Sequence, residues 1–151
     1  IFFCKNVEMT EGSMEPTVEI GDTLLVNTLA YRFSLPDRDD MLVFKSNDSA
    51  NASLHVKRVI GLPGEKIQIS DGQIMINGIT YMEKKDLPSI SYAGLAEQEI
   101  TLKDDEYFVL GDNRNNSADS RYSDIGNVKK SNIVGKVWFR ISPYTRLGFL
   151  H

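Results

Sequence analysis

Two side chains and one polar loop carry the reactive chemistry of this sequence. Ser13 lies in Glu11-Gly12-Ser13-Met14-Glu15-Pro16-Thr17, and Lys57 lies in His55-Val56-Lys57-Arg58-Val59-Ile60-Gly61-Leu62-Pro63-Gly64-Glu65. A serine hydroxyl becomes a nucleophile when a neighbouring base takes its proton, and a lysine amine is such a base when it is held neutral. Gly12 permits close backbone approach and Pro16 restricts Glu15 to an extended or turn conformation, so the segment reads as a rigid turn presenting a hydroxyl. Lys57 interrupts an otherwise apolar run from Val56 to Ile60. Pointing inward, it would favour its neutral form. The requirement is steep, because a free lysine with a pKa of about 10.4 is only ~0.04% neutral at pH 7. Lowering that value by about 3 units corresponds to roughly 4 kcal/mol.

A histidine is the commoner base. The two present are His55 and the terminal His151. His55 is two residues from Lys57, so a strand would project both on one face. That leaves a Ser-His-Asp arrangement open beside a half-buried strand histidine. The third stretch, Gly111 to Arg121, is polar and reads as an exposed loop. It lacks the spacing and the terminal glutamate of an EF-hand calcium loop.

These residues need elements to hold them. Residues 5–14 alternate loosely and read as a strand ending at Gly12-Ser13. A second strand is expected over 22–33, a loop over 34–40, a buried strand over 41–45, and a polar hairpin tip over 46–53. Leu54 to Ile60 is strand-like and closes at the turn 61–64. Residues 65–70 and 73–76 alternate around Asp71-Gly72, a hairpin signal, and Asn77-Gly78 marks the next turn. Residues 82–100 break the pattern and read as an insertion or elaborated loop, with one more strand near 99–102. Glu106 to Leu110 and residues 135–141 are strands. Ser131-Asn132 could cap a helical turn, and the tail from Ser142 reads as loop. Many short strands between turns predict a mostly β fold with little helix: antiparallel sheets or a partly open barrel.

The 151 residues are 41% hydrophobic and 25% charged, a globular balance that excludes an intrinsically disordered chain. The formal charge is −4 and no long basic run is present, so nucleic-acid binding is not expected. Cys4 is the only cysteine, which excludes an internal disulfide and an all-cysteine metal site. No motif calls for a cofactor or a metal. No run approaches the ~20 apolar residues of a membrane helix. The opening Ile1-Phe2-Phe3-Cys4 reads either as a first strand or as the flank of a membrane anchor that is absent from this chain.

Taken together, the stretches resemble type I signal peptidases, membrane-bound serine proteases that remove secretory signal peptides. Ser13-Met14-Glu15-Pro16-Thr17 is similar to the family's nucleophile box, Ser-Met-x-Pro-Thr. Arg38-Asp39-Asp40-Met41-Leu42-Val43-Phe44 resembles its Arg-Gly-Asp-hydrophobic box, with Asp39 where glycine is usual. Lys57 to Glu65 resembles the general-base box. Gly111-Asp112-Asn113, with Ser117, Asp119, Ser120 and Arg121, resembles the last box. The four occur in the family's order, and the short insertion is more like that of Gram-positive members.

The resemblance implies a catalytic domain spanning residues 1–151 on the extracytoplasmic face of the cell membrane. It implies Ser13 as nucleophile, Lys57 as general base, Ser117 hydrogen-bonded to the lysine amine, and an Asp119–Arg121 supporting ion pair. Arg58 would be structural, and the Ser13 backbone N–H would stabilise the oxyanion. Two residues before the nucleophile the family carries serine or glycine. Here stands Glu11, which is expected to point away. An extended substrate with small residues at −1 and −3 would meet shallow pockets lined by Met9, Met14, Leu54 and Val56. The implied partners are secretory preproteins, membrane lipid and, for a dedicated homologue, pilus proteins. Two rival readings are a weakly catalytic or non-catalytic homologue acting in pilus assembly, and a self-cleaving Ser/Lys protein of the LexA type. The latter would bring a DNA-binding half that this sequence does not resemble.

Overall fold

The computed structural model describes residues 3–151, so Ile1 and Phe2 of the expected membrane-proximal flank lie outside the described residues. Strand β1 (Cys4–Glu8) leads through the Ser13 turn to β2 (Thr23–Asn27), a one-turn helix α1 (Ala30–Phe33) and β3 (Met41–Lys45). Then follow β4 (Leu54–Gly61), β5 (Lys66–Ser70), β6 (Gln73–Ile76) and β7 (Ile79–Thr80). A 3-10 turn at Gly94–Glu97 precedes β8 (Ile100–Thr101) and β9 (Glu106–Leu110). The chain ends with β10 (Val128–Lys129), β11 (Ile133–Ser142) and β12 (Gly148–Phe149).

The larger sheet runs β1-β2-β11-β3-β4-β9-β10, with β12 added to β11, and the smaller runs β7-β6-β5-β8. Every pairing is antiparallel. This is the expected mostly β fold, built as open sheets rather than a closed barrel. Asp71-Gly72 and Asn77-Gly78 form their turns with positive φ at all four residues, the conformation for which those residue types are suited.

Three differences from the sequence expectation have physical causes. The first strand stops at Glu8. Met9 still exchanges backbone hydrogen bonds with Asp22 and Gly21, and the chain then coils through 11–17. The second strand stops at Asn27, whose side chain accepts the Leu29 N–H and turns the chain into α1. The tail is not all loop: β12 pairs with β11 at Phe139↔Phe149, where the two rings meet edge to face at 5.1 Å.

The sheets share apolar cores. Ile67, Ile69, Ile74 and Ile76 of the small sheet pack with Ile60 of β4 and Phe108 and Leu110 of β9. Met9, Met14 and Val18 of the Ser13 segment pack with Leu24, Val26, Met41, Val43 and Val56. The reactive turn is therefore anchored by buried apolar side chains on both sides of Ser13.

Candidate active site

β4 is covered by β3 from Leu54 to Arg58, but β9 pairs with its other edge only from Arg58↔Leu110 to Gly61↔Phe108. Where β9 ends, Gly111 to Asn113 continue alongside, and the Ser13 segment lies against them. The Asn113 N–H donates to the Ser13 carbonyl at 2.9 Å, and the Asn113 side-chain amide donates to the Gly12 carbonyl at 3.0 Å. Glu15 N–H to Gly12 carbonyl and Val18 N–H to Met14 carbonyl close the turn. The Ser13 N–H takes part in none of these bonds.

Ser13 and Lys57 meet. Lys57 Nζ lies 2.8 Å from Ser13 Oγ, with the lysine fully buried and the serine 3% exposed. The amine reaches the serine from within an apolar strand. Glu11 is the correction. It does not point away: Lys57 Nζ donates to Glu11 Oε1 at 2.8 Å, and the Ser13 hydroxyl donates to the same oxygen at 3.0 Å. Among the described residues Glu11, two positions before the serine, supplies the one carboxylate in contact with the buried Lys57 amine. Burial raises the Glu11 carboxyl pKa, but hydrogen bonding and charge from Lys57 outweigh it and hold the group below its usual range.

His55 does not join Ser13. It stacks on Phe44 at 5.5 Å between ring centroids, and burial followed by the Lys57 charge lowers its pKa. Arg58, on the opposite face of β4 from Lys57, clamps Asp112 through two bonds of 2.8 and 2.7 Å and donates to the Asp39 carbonyl. Thr17 donates to the same Asp112 carboxylate at 2.6 Å. One buried carboxylate thus ties together β4, the Ser13 segment and the polar loop. Asp39 holds φ at 72°, a left-handed conformation that glycine adopts most readily, which fits its place in a box that usually carries glycine.

The polar loop is largely buried: Asp112, Arg114, Ser117, Asp119, Ser120 and Arg121 are enclosed, and only Asn115, Asn116 and Ala118 are exposed. Asp119 and Arg121 form a doubly bonded ion pair, with 2.8 Å in both contacts, and both are enclosed. Ser117 requires a second correction. Its hydroxyl donates to Asp119 Oδ2 at 2.8 Å, whereas the amine of Lys57 bonds to Ser13 and Glu11. An ionised carboxylate two residues away competes successfully for the hydroxyl proton. Asp119 also accepts the Gly111 N–H, fixing the strand end beneath Ser13.

Of the proposed pocket residues, Met9, Met14 and Val56 are core, and Leu54 is exposed at 48%. Met14 is fully enclosed and its sulfur accepts the Asp112 N–H, so it cannot face a substrate. Sequence reasoning missed the roles of Thr17 and Asp112. The available signal was Arg58, a charge in an apolar strand that demands a buried partner.

Gly111 is a sensitive point. A Cβ there would collide with Ser117 Oγ and with the Ser13 carbonyl. Gly111→Ala is expected to shift the Ser13 turn and lower kcat by about 10- to 100-fold, the scale of a 1 Å misplacement, with KM less affected. Steady-state kinetics on a peptide substrate checks this.

Comparison with known proteins places the chain. The family model described as "Signal peptidase, peptidase S26" matches residues 1–142. The chain is 38% identical to "Probable signal peptidase I-2" of Synechocystis sp. over 92% of its own length, spanning 63% of that protein. It is 40% identical to "Signal peptidase I V" of Bacillus subtilis, covering 83% of this chain and 78% of that one. A crystal structure of a signal peptidase I from Enterococcus faecalis superposes with a TM-score of 0.53 at 35% identity, covering 67% of this chain and 95% of that one. The chain belongs to the signal peptidase family, peptidase S26.

Proposed function

We propose that this chain is the catalytic part of a membrane-associated serine endopeptidase that removes signal peptides from exported preproteins on the extracytoplasmic face of the membrane. The observation that carries the reading is the 2.8 Å contact between the fully buried Lys57 amine and Ser13 Oγ. Neutral Lys57 takes the hydroxyl proton as Ser13 Oγ attacks the scissile carbonyl carbon. The Ser13 N–H stabilises the oxyanion, an interaction worth about 2.7–4 kcal/mol. The ammonium then protonates the leaving amine, the peptide bond breaks, and an acyl-serine remains. Lys57 next deprotonates a water that hydrolyses the ester, and the proton returns to Ser13.

The Asp119–Arg121 pair acts one step removed, through Ser117 and the Gly111 N–H, by fixing the strand end on which the Ser13 turn rests. The substrate lies extended along the part of β4 that β9 leaves uncovered, near Leu54 and Val56, adding main-chain hydrogen bonds to an open edge. No helix among the described residues is long and apolar enough to cross a membrane. The membrane association rests on the family.

The test is cleavage of a preprotein with small residues at −1 and −3, using the full chain in detergent, with the cut site read by mass spectrometry. Cleavage after the −1 residue by wild type and not by Ser13→Ala is expected. Absence of Ser13-dependent cleavage would sink the reading. It would instead favour a weakly catalytic or non-catalytic homologue serving pilus assembly, for which Glu11 in contact with the dyad is the specific observation.

A further inference from the structure

The dyad mechanism makes no use of Glu11, yet no residue touches the reacting atoms more closely. Glu11 Oε1 accepts from Lys57 Nζ at 2.8 Å and from Ser13 Oγ at 3.0 Å, while Lys57 Nζ also donates to Ser13 Oγ at 2.8 Å. The polarity of these bonds is the reverse of what attack requires. The serine proton points at the carboxylate, and the lysine presents an N–H, not a lone pair, to the serine oxygen. An ammonium paired with a carboxylate has no lone pair to offer, and opposite charges in contact favour that charged state. The carboxyl itself is held below its ordinary range despite burial, so it stays ionised at neutral pH.

The contact is also releasable. The Glu11 side chain is 50% exposed. His55 on β4 adds an attractive charge when protonated, and the carboxylate of Glu15, of its own segment, folds over Gly12. Rotation into water therefore leaves Glu11 solvated, and Gly12 beside it offers no side chain to resist.

Given the Ser13–Lys57 reading above, we propose that Glu11 is a latch on the dyad: closed, it holds Lys57 as the ammonium and takes the serine hydroxyl as donor; an extended peptide entering along β4 displaces it into solvent and Lys57 gives up its proton to water. The latch makes reactivity depend on engagement of a peptide backbone. Small acyl donors, which fill none of that groove, leave it closed.

The test compares wild type with Glu11→Gln and Glu11→Ser, both retaining the fold at a half-exposed loop position, and with Ser13→Ala as the background. Acylation of Ser13 by p-nitrophenyl acetate is followed by intact mass from pH 6 to 10, alongside cleavage of the preprotein. Both Glu11 variants are expected to acylate about tenfold faster at pH 7, with the half-maximal pH about one unit lower, since removing one contact charge is taken at the low end of its 1–3 unit range. Their gain on the preprotein, which opens the latch itself, is smaller. Unchanged or slower acylation with an unmoved pH midpoint overturns the latch, as does failure of Ser13 to acylate in any variant. A faster, shifted acylation without preprotein cleavage keeps the latch and removes the peptidase reading. Preprotein cleavage without that shift does the opposite.

Discussion

Lys57→Ala loses at least about 10⁴-fold in kcat for signal-peptide cleavage with KM little changed, the scale on which members of a catalytic unit fail when removed singly. No neighbour can replace the amine. His55 is held against Phe44, and a glutamate carboxylate, with an ordinary pKa of about 4.3, is a far weaker base than a neutral amine. Lys57→Arg is expected to be as inactive, because a guanidinium does not deprotonate and cannot accept the serine proton. The loss is catalytic rather than structural: Ala removes a buried cation and leaves Glu11, half exposed, free to find water. Unchanged thermal unfolding beside the collapsed kcat separates the two causes. Retention of more than a tenth of the activity would remove Lys57 from the role of base.

Asp112→Ala has the largest expected effect on stability, a loss of about 3–5 kcal/mol, because it strands the buried Arg58 guanidinium without its carboxylate. For a chain of this size that lowers Tm by roughly 6–20 °C. Thr17 loses its acceptor as well, so the nucleophile segment loosens with the core. Replacing both partners, with Arg58→Met and Asp112→Leu, is expected to recover much of the stability, since no unpaired charge then remains.

The pH dependence has a definite sign. Burial raises the Asp112 carboxyl pKa, but the Arg58 hydrogen bonds and charge, with the Thr17 hydroxyl, pull it below the ordinary 3.8. The unfolded carboxyl takes up a proton before the folded one as pH falls. The contribution is therefore complete above 3.8 and is lost as pH drops through the lower folded value. Asp112→Asn flattens that acid limb, and thermal unfolding between pH 2 and 6 measures it.

Most of the architecture was legible in the sequence because its signals are local. Asp71-Gly72, Asn77-Gly78 and the 61–64 turn punctuate strands whose alternation is clear, and the apolar runs at Val59-Ile60 and Tyr107 to Leu110 read as strands. What escaped depends on contacts across long separations. Thr17 and Asp112 are 95 positions apart, and nothing near Thr17 announces its partner. Ser117 had two plausible uses for one hydroxyl, and the adjacent carboxylate of Asp119 won over the distant amine. The polar loop reads as exposed by composition, yet each of its charges finds a partner, Asp119 with Arg121 inside the loop, Asp112 with Arg58 and Arg114 with Glu83 outside it, so those side chains are buried beneath the site. Glu11 defied the expectation because, among the described residues, it supplies the one carboxylate in contact with the buried Lys57 amine. The strand expected to run to residue 33 failed for a simpler reason: the apolar Leu29, Ala30, Tyr31 and Phe33 suit helix or strand, and the Asn27 side chain decides between them by turning the chain.

The central claim is that Ser13 carries the acyl group of the substrate. Rapid acid quench of the full chain during turnover of a signal-peptide substrate, followed by peptide mass mapping, tests it directly. The account predicts an added mass equal to the signal peptide through its −1 residue on the peptide containing Ser13, absent from Ser13→Ala. An adduct on another residue, or undiminished cleavage by Ser13→Ala, would contradict it.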